Sequence, residues 1–147
     1  MIRKYNSNDK VALLNLLALN TPQFFADSEA TDFDEYLNSK IQLYYVLELE
    51  NQILGCGGIN FDQNNSTASI SWDIIHPEYH GKSFGSQLLN YRMEQIEKIS
   101  NIQKIIVRTS QLTYPFYEKH GFTTVEIHQD YWSKGFDMYL MIFQKKE

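Results

Sequence analysis

The sequence predicts a mixed α/β or α+β fold in which helices lie on the faces of one sheet. Three observations lead there. Segments of strand and helical period follow one another in the order β-α-α-β-β-β-α-β-α-β-β. A glycine-bearing turn stands between a strand and the most regular helix. The hydrophobic share of 43% and charged share of 21% are those of a chain that folds, and 147 residues suffice for one core of ordinary size but not two. Residues 1–147 are therefore expected to form a single domain.

The elements follow from the residues in turn. Residues 2–5 are a short apolar and basic strand. Behind the cap candidates Ser7 and Asn8, the residues Val11, Leu13, Leu14, Leu16, Leu17 and Leu19 recur at helical spacing. Thr21 and Pro22 break that helix, and a polar and aromatic loop runs to Glu29. A second helix is expected over 32–40, capped by Thr31 or Asp32. From Leu43 the β-formers Tyr44, Tyr45, Val46, Leu47 and Leu49 predict a strand, and Glu50, Asn51 and Gln52 turn it into a second over 53–60. A third strand spans 67–75 and stops at His76 and Pro77, because proline cannot donate to a ladder. Leu88, Leu89, Met93, Ile96 and Ile99 mark an amphipathic helix ending near Ser100. Ile105, Ile106 and Val107 form a strand. A short helix over 113–120 tolerates Pro115 in its first turn and stops at Gly121. Strands at 122–128 and 138–143 close the chain, joined by a loop over 129–137.

Composition narrows the function. Thirteen Lys plus Arg against eighteen Asp plus Glu give a formal charge of -5, which opposes the phosphate neutralisation on which nucleic-acid binding depends. The single cysteine, Cys56, cannot form an internal disulfide or a multi-cysteine zinc site, and its glycine-flanked place in a strand suits a small buried hydrophobe. His76, His80, His120 and His128 lack metal-ligand spacing, so no metal is expected. The apolar stretch after Arg3 and Lys4 is broken by Asn15 and has no small-residue cleavage site behind it. Neither a signal peptide nor a membrane span is predicted, and a cytoplasmic location is expected.

The informative run is 74–86, between the third of these central strands and the amphipathic helix. A turn that opens a helix presents unpaired backbone N–H groups and the positive end of the dipole, which suits phosphate. Gly81 and Gly85 permit close approach of an anion, and Lys82 supplies a charge. An ordinary strand-to-helix connection would use the same glycines merely to turn the chain. The run is not a Walker loop, because His76 stands where that motif opens on glycine, and it lacks the third glycine of a dinucleotide fingerprint.

At these residues the chain resembles the GNAT superfamily of N-acetyltransferases, and the resemblance extends over nearly its whole length. The family motif Q/R-x-x-G-x-G/A follows a strand that ends in an apolar-His/Asp-Pro element. Ile75, His76 and Pro77 followed by His80, Gly81, Lys82, Ser83, Phe84 and Gly85 fall on it, with His80 in place of Gln or Arg and Ser83 in place of the first glycine. Downstream, Phe116, Tyr117, Glu118, Lys119, His120, Gly121 and Phe122 resemble the family's F/L-Y-E-K-x-G-F element, the more specific of the two matches.

The resemblance implies a mixed, mostly antiparallel sheet of about seven strands flanked by about four helices, splayed between the fourth and fifth strands, with acetyl-CoA as cosubstrate. It implies diphosphate contacts from His80, Gly81, Lys82, Ser83, Phe84, Gly85 and Ser86. Ser110 stands where a pantetheine-binding asparagine is usual, seven residues before Tyr117, and Phe116 would border the cofactor. A backbone N–H near Ile74 or Ile75 would stabilise the oxyanion, a role worth about 3 to 4 kcal/mol. Tyr117 would protonate the leaving thiolate, although a core aromatic on a short helix is the plain alternative. Asp73 is the nearest candidate base, with Glu29, Glu126 and Asp130 as competitors, and a solvated or capping carboxylate is the alternative. Phe24, Phe25, Asp27 and Glu29, with Trp72 and Tyr131 opposite, would receive a primary amine of a small molecule or peptide; the same rings could simply pack loops onto the sheet. A monomer or homodimer is expected. Two rival readings are an inactive acyl-CoA sensor and a phosphate-binding module with no preference for CoA.

Overall fold

The computed structural model describes residues 1–143. Its elements are β1 (Ile2–Lys4), α1 (Lys10–Leu19), α2 (Glu29–Ser39), β2 (Leu43–Leu49), β3 (Gln52–Phe61), β4 (Thr67–Ile75), α3 (Phe84–Glu97), β5 (Lys104–Thr109), α4 (Tyr114–Lys119), β6 (Phe122–Ser133) and β7 (Phe136–Phe143). The strands form one seven-stranded sheet in the order β1-β2-β3-β4-β5-β7-β6. Only β4 and β5 run parallel; the other neighbours are antiparallel. This is the mixed, mostly antiparallel architecture that the sequence implied.

Each face of the sheet carries its own core. On one face the stripe Leu88, Leu89 and Ile96 of α3 packs with Tyr117 of α4 onto Ile59, Ile70, Ile105, Val107, Phe122 and Met141. On the other, Leu13, Leu16 and Leu17 of α1 and Phe33, Tyr36 and Leu37 of α2 meet Tyr44, Val46, Cys56 and Ile74. Full burial stabilises each such side chain by roughly 1.5 to 3 kcal/mol.

Three boundaries differ from expectation. Asn6, not Ser7 or Asn8, caps the entry to α1: its side chain accepts from Asn8 N at 2.8 Å, and Asp9 accepts from Asn6 N at 3.0 Å in return. Helix α2 begins at Glu29, three residues early, because the Glu29 carboxylate accepts from Ala26 N at 2.8 Å and closes the preceding turn. Residues 129–137 are not a loop. They continue β6 and β7 into a long hairpin that turns at Gly135, where φ is +84°, and Asp130 accepts from Gly135 N at 2.7 Å across the turn.

Candidate active site

Strands β4 and β5 pair only from Thr67 with Lys104 to Ile70 with Val107. Beyond that point β5 stays with β7 while β4 stays with β3, so the sheet opens. The cause is a bulge on β4. Between Cys56 and Gly58 of β3, the facing stretch of β4 from Ile74 to Ser71 holds one residue more, and Trp72 adopts a φ of +48°. A bulge kinks its strand and increases local twist, which turns the end of β4 away from β5. A left-handed conformation is costly for so bulky a residue and persists only where the surroundings impose it. Here the Tyr44 hydroxyl donates to the Trp72 carbonyl at 2.7 Å, and the indole packs 4.9 Å from the Phe33 ring and parallel to that of Phe25.

A cavity of about 930 Å³ occupies the opening, with wall residues from both faces of the sheet. One end lies at the mouth of α3. Gly81 and Ser83 hold φ values of +81° and +66°, and no side chain caps the helix, so its first amides are left without a side-chain acceptor. Ser83 thus takes the backbone shape that glycine adopts more cheaply. Gly81, Ser83, Gly85, Ser86 and Phe116 line the cavity. A Cβ on Gly85 would stand 3.3 Å from the Phe116 ring, which fixes how closely α3 and α4 approach. Lys82 and Phe84 are not on the wall: the ammonium lies 5.9 Å from the Tyr79 ring centre, and Phe84 stacks on the same ring. His80 does line the cavity, but its Nε2 donates to the Ile75 carbonyl at 2.9 Å and its ring meets Phe24 edge-on. Ser110 is buried on the wall, where its hydroxyl accepts from Leu112 N at 3.2 Å and so stabilises its own turn.

At the waist of the cavity three polar side chains meet. The Tyr117 hydroxyl donates to Asp73 Oδ2 at 2.6 Å, and Arg92 donates to Asp73 Oδ1 at 2.5 Å and to the Gly58 carbonyl at 3.0 Å. Arg92 is 1% exposed. Burial alone would lower its pKa, and the Asp73 charge more than offsets this. Burial, reinforced by Asp73, pushes the Tyr117 phenol well above its ordinary value, and the Arg92 charge acts in the opposite direction. Glycine at 57 makes room for the cluster: a Cβ there would stand 2.6 Å from Asp73 Oδ1 and 2.7 Å from the Arg92 guanidinium. Sequence reasoning missed Arg92, yet the signal was present, since it stands four residues after Leu88 and four before Ile96 on the apolar stripe of α3.

Away from the mouth of α3 the cavity is lined by Phe25, Glu29 and Trp72, with Phe24 beside His80, and by Trp132 and Phe136 of the hairpin. Tyr131 is a correction. It is 53% exposed and off the wall, because the β6 register shifts between His128 and Ser133, where Asp130 has a φ of +53°. The neighbouring residue faces the cleft instead, with Trp132 Nε1 donating to the Thr109 carbonyl at 3.1 Å. Asp27, Glu126 and Asp130 are also off the wall. Burial raises the Glu29 carboxyl above its ordinary value. Cys56 is fully buried and its thiol is pushed up to about 12, which removes it as a nucleophile. Tyr36, Asn60 and Arg108 line the cavity as well and were not singled out from sequence.

A domain profile described as "Acetyltransferase (GNAT) domain" matches residues 40–124, more than half of the chain and including both motifs. The chain belongs to the GNAT acetyltransferase family. Among curated relatives, the amino-acid acetyltransferase of Pasteurella multocida is 27% identical over 93 residues, covering 63% of this chain but only 21% of that protein. The chain thus spans about a fifth of the length of that relative. Two solved structures share the fold. The ribosomal-protein-S18-alanine N-acetyltransferase of Escherichia coli superposes with a TM-score of 0.79 at 14% identity, over 100% of this chain and 96% of that one. An aminoglycoside 6'-N-acetyltransferase complexed with coenzyme A gives 0.77 at 16% identity, over 100% and 99%.

Proposed function

We propose that residues 1–147 form one N-acetyltransferase domain that moves an acetyl group from acetyl-CoA to a primary amine by direct attack. One observation carries the reading: the opening between β4 and β5 joins an uncapped helix N-terminus to a buried phenol through one continuous cavity. The amides at the start of α3, with Gly81 and Ser83, suit a diphosphate, and the wall formed by Ile74, Ile75, Thr109, Ser110 and Phe116 suits the pantetheine arm. Acetyl-CoA supplies the activated acyl group when bound. A backbone N–H near Ile74 or Ile75 polarises the thioester carbonyl, and Tyr117 gives its proton to the departing sulfur.

The raised phenol keeps that proton at every physiological pH, so the acid is present when the thiolate leaves. Transfer from so weak an acid is uphill. Arg92 is the group that makes the resulting phenolate tolerable, because its charge favours that form. Asp73 has both oxygens engaged, by Arg92 and by Tyr117, and is therefore better suited to positioning the phenol than to taking a proton from the amine. Glu29, made more basic by burial and facing the cavity, is the better proton acceptor. The buried thiol of Cys56 suits a reducing compartment, and we place the reaction in the cytoplasm.

One observation favours a second reading, an acyl-CoA sensor without turnover: the Tyr117 hydroxyl donates to Asp73 and not into the cavity. Thiol release with an amine panel decides between the two. An active enzyme releases CoA thiol and slows strongly as Tyr117→Phe while still binding CoA. A sensor binds CoA and releases no thiol with any amine.

A further inference from the structure

The tip of the β6–β7 hairpin, residues 130–137, forms part of the cavity wall yet extends past the end of β5. Strand β5 pairs with β7 from Ile105 with Phe143 as far as Thr109 with Tyr139, and the chain then leaves the sheet in a turn. Continuing that register would set residue 111 opposite 137. The rung is made by a side chain instead. Gln111 Nε2 donates to the Gly135 carbonyl at 2.7 Å, and Gln111 Oε1 accepts from Asp137 N at 2.9 Å. A carboxamide offers a donor and an acceptor in one plane, as the missing peptide groups would have done. Trp132 returns the tie, its Nε1 donating to the Thr109 carbonyl at 3.1 Å. Among the described residues, these three are the hydrogen bonds that join the tip to anything outside the hairpin.

The hairpin does not need Gln111 in order to turn. Gly135 takes the left-handed conformation there, Asp130 accepts from Gly135 N at 2.7 Å, and Asp137 accepts from Asp130 N at 2.9 Å. The turn after β5 is likewise closed by its own groups. Leu112 N donates to Ser110 Oγ at 3.2 Å, Tyr114 N donates to the Ser110 carbonyl at 3.0 Å, and the Thr109 and Thr113 hydroxyls meet at 2.5 Å. What Gln111 adds is the placement of one closed unit against the other. Both units line the cavity, with Thr109, Ser110, Leu112 and Thr113 on the turn and Trp132 and Phe136 on the hairpin, whereas Gln111 itself is off the wall.

We propose that Gln111 is a positioning residue for the acceptor: it clamps the hairpin tip to the turn after β5 and so holds Trp132 and Phe136 where the incoming amine meets them. This rests on the acyl-transfer reading of the same cavity and names a determinant of its acceptor affinity. Without the clamp the tip populates positions in which that wall is displaced. An acceptor then binds only the fraction of molecules whose wall is in place, and its apparent affinity falls by that fraction. Two neutral hydrogen bonds support a bias of about 5- to 30-fold. The mouth of α3 belongs to another element, so cosubstrate affinity should not follow.

Gln111→Leu has nearly the same size and removes both bonds. For whichever of phenethylamine, cadaverine and an alanyl peptide is turned over, its KM should rise about 5- to 30-fold, with kcat and the Kd of CoA within about twofold of the parent. A fall in kcat at unchanged KM, or an equal weakening of CoA, would reveal a general loss of fold and overturn the proposal. A second readout needs no turnover. The ¹⁵N-labelled chain has two indole N–H signals, one for each tryptophan, and Trp132→Phe assigns them. Solvent exchange of the Trp132 indole proton should be about 5- to 30-fold faster in Gln111→Leu than in the parent, with that of Trp72 unchanged. Equal exchange of the Trp132 proton in the two chains ends the proposal whatever the kinetics show. If none of the amines is turned over, the acyl-transfer reading fails, and the exchange rates alone decide whether Gln111 holds the wall.

Discussion

On the α3 side of the cleft the charged groups satisfy one another, whereas on the α2 side they do not. Arg92, Asp73 and Tyr117 form a closed set beneath the bulge of β4, with Gly57 leaving the space they occupy. Arg108 and Lys40 have no such partners among the described residues, and Glu29 holds a backbone amide. Groups locked to each other can fix the position of a phenol to a fraction of an ångström. Groups left open cannot do that. On the proposed function, the first wall sets geometry and the second is the one open to an acceptor.

The largest test breaks the closed wall. Arg92→Met strands the Asp73 carboxylate in a low-dielectric site and should cost about 3 to 5 kcal/mol in urea denaturation. Adding Asp73→Leu should recover much of that loss, since removing both charges is far less damaging than removing one. If the double variant is no more stable than the single, the pair is not the unit described here. Tyr117→Phe removes the proposed proton donor, and kcat should fall by about 10² to 10⁴ with little change in CoA affinity by calorimetry. In the unaltered chain, the raised phenol stays protonated as pH rises, so kcat should show no alkaline limb between roughly pH 8 and 10. A falling limb in that range would remove Tyr117 as the acid.

Smaller effects belong to the cofactor mouth and the open wall. Ser83→Gly relieves a left-handed serine and should add about 1 kcal/mol of stability, with tighter CoA binding by titration. For Glu29 the direction follows from its raised pKa: the folded chain holds the proton more tightly than the unfolded one, so the carboxylate weakens the fold increasingly as pH rises. Glu29→Gln should therefore melt higher than the parent at neutral pH, and the advantage should vanish near about pH 3, where both states are protonated. An advantage that persists in acid would point to packing instead of charge.

Much of this was legible in the sequence because periodicity and turn chemistry are local. All the strands and helices follow from spacing, and the two motifs locate the mouth of α3 and Tyr117. The misses have a common cause in register. A single extra residue at a bulge exchanges the faces of every side chain beyond it, and no local pattern announces where the extra residue falls. Tyr131 was placed on the wall with 129–137 taken as a loop; between His128 and Ser133 the β6 strand instead carries three residues more than the facing stretch of β7, and Trp132 is found on the wall. For the same reason nothing in residues 71–73 foretold a left-handed tryptophan. Arg92 was overlooked for another reason: an apolar stripe was read through a cation whose partner, Asp73, lies 19 residues away in the chain. Gln111 gains its meaning only when the turn after β5 is set beside the hairpin tip, 24 residues further on.

The two tryptophans of the chain, Trp72 and Trp132, stand on the walls of one cavity. Intrinsic emission excited at the red edge of the spectrum therefore originates almost wholly from the cleft, one indole set in the strained bend of β4 and the other tied to the end of β5. Entry of a cosubstrate or an acceptor would alter their solvent contact, so an unlabelled titration can be followed by quenching or spectral shift alone.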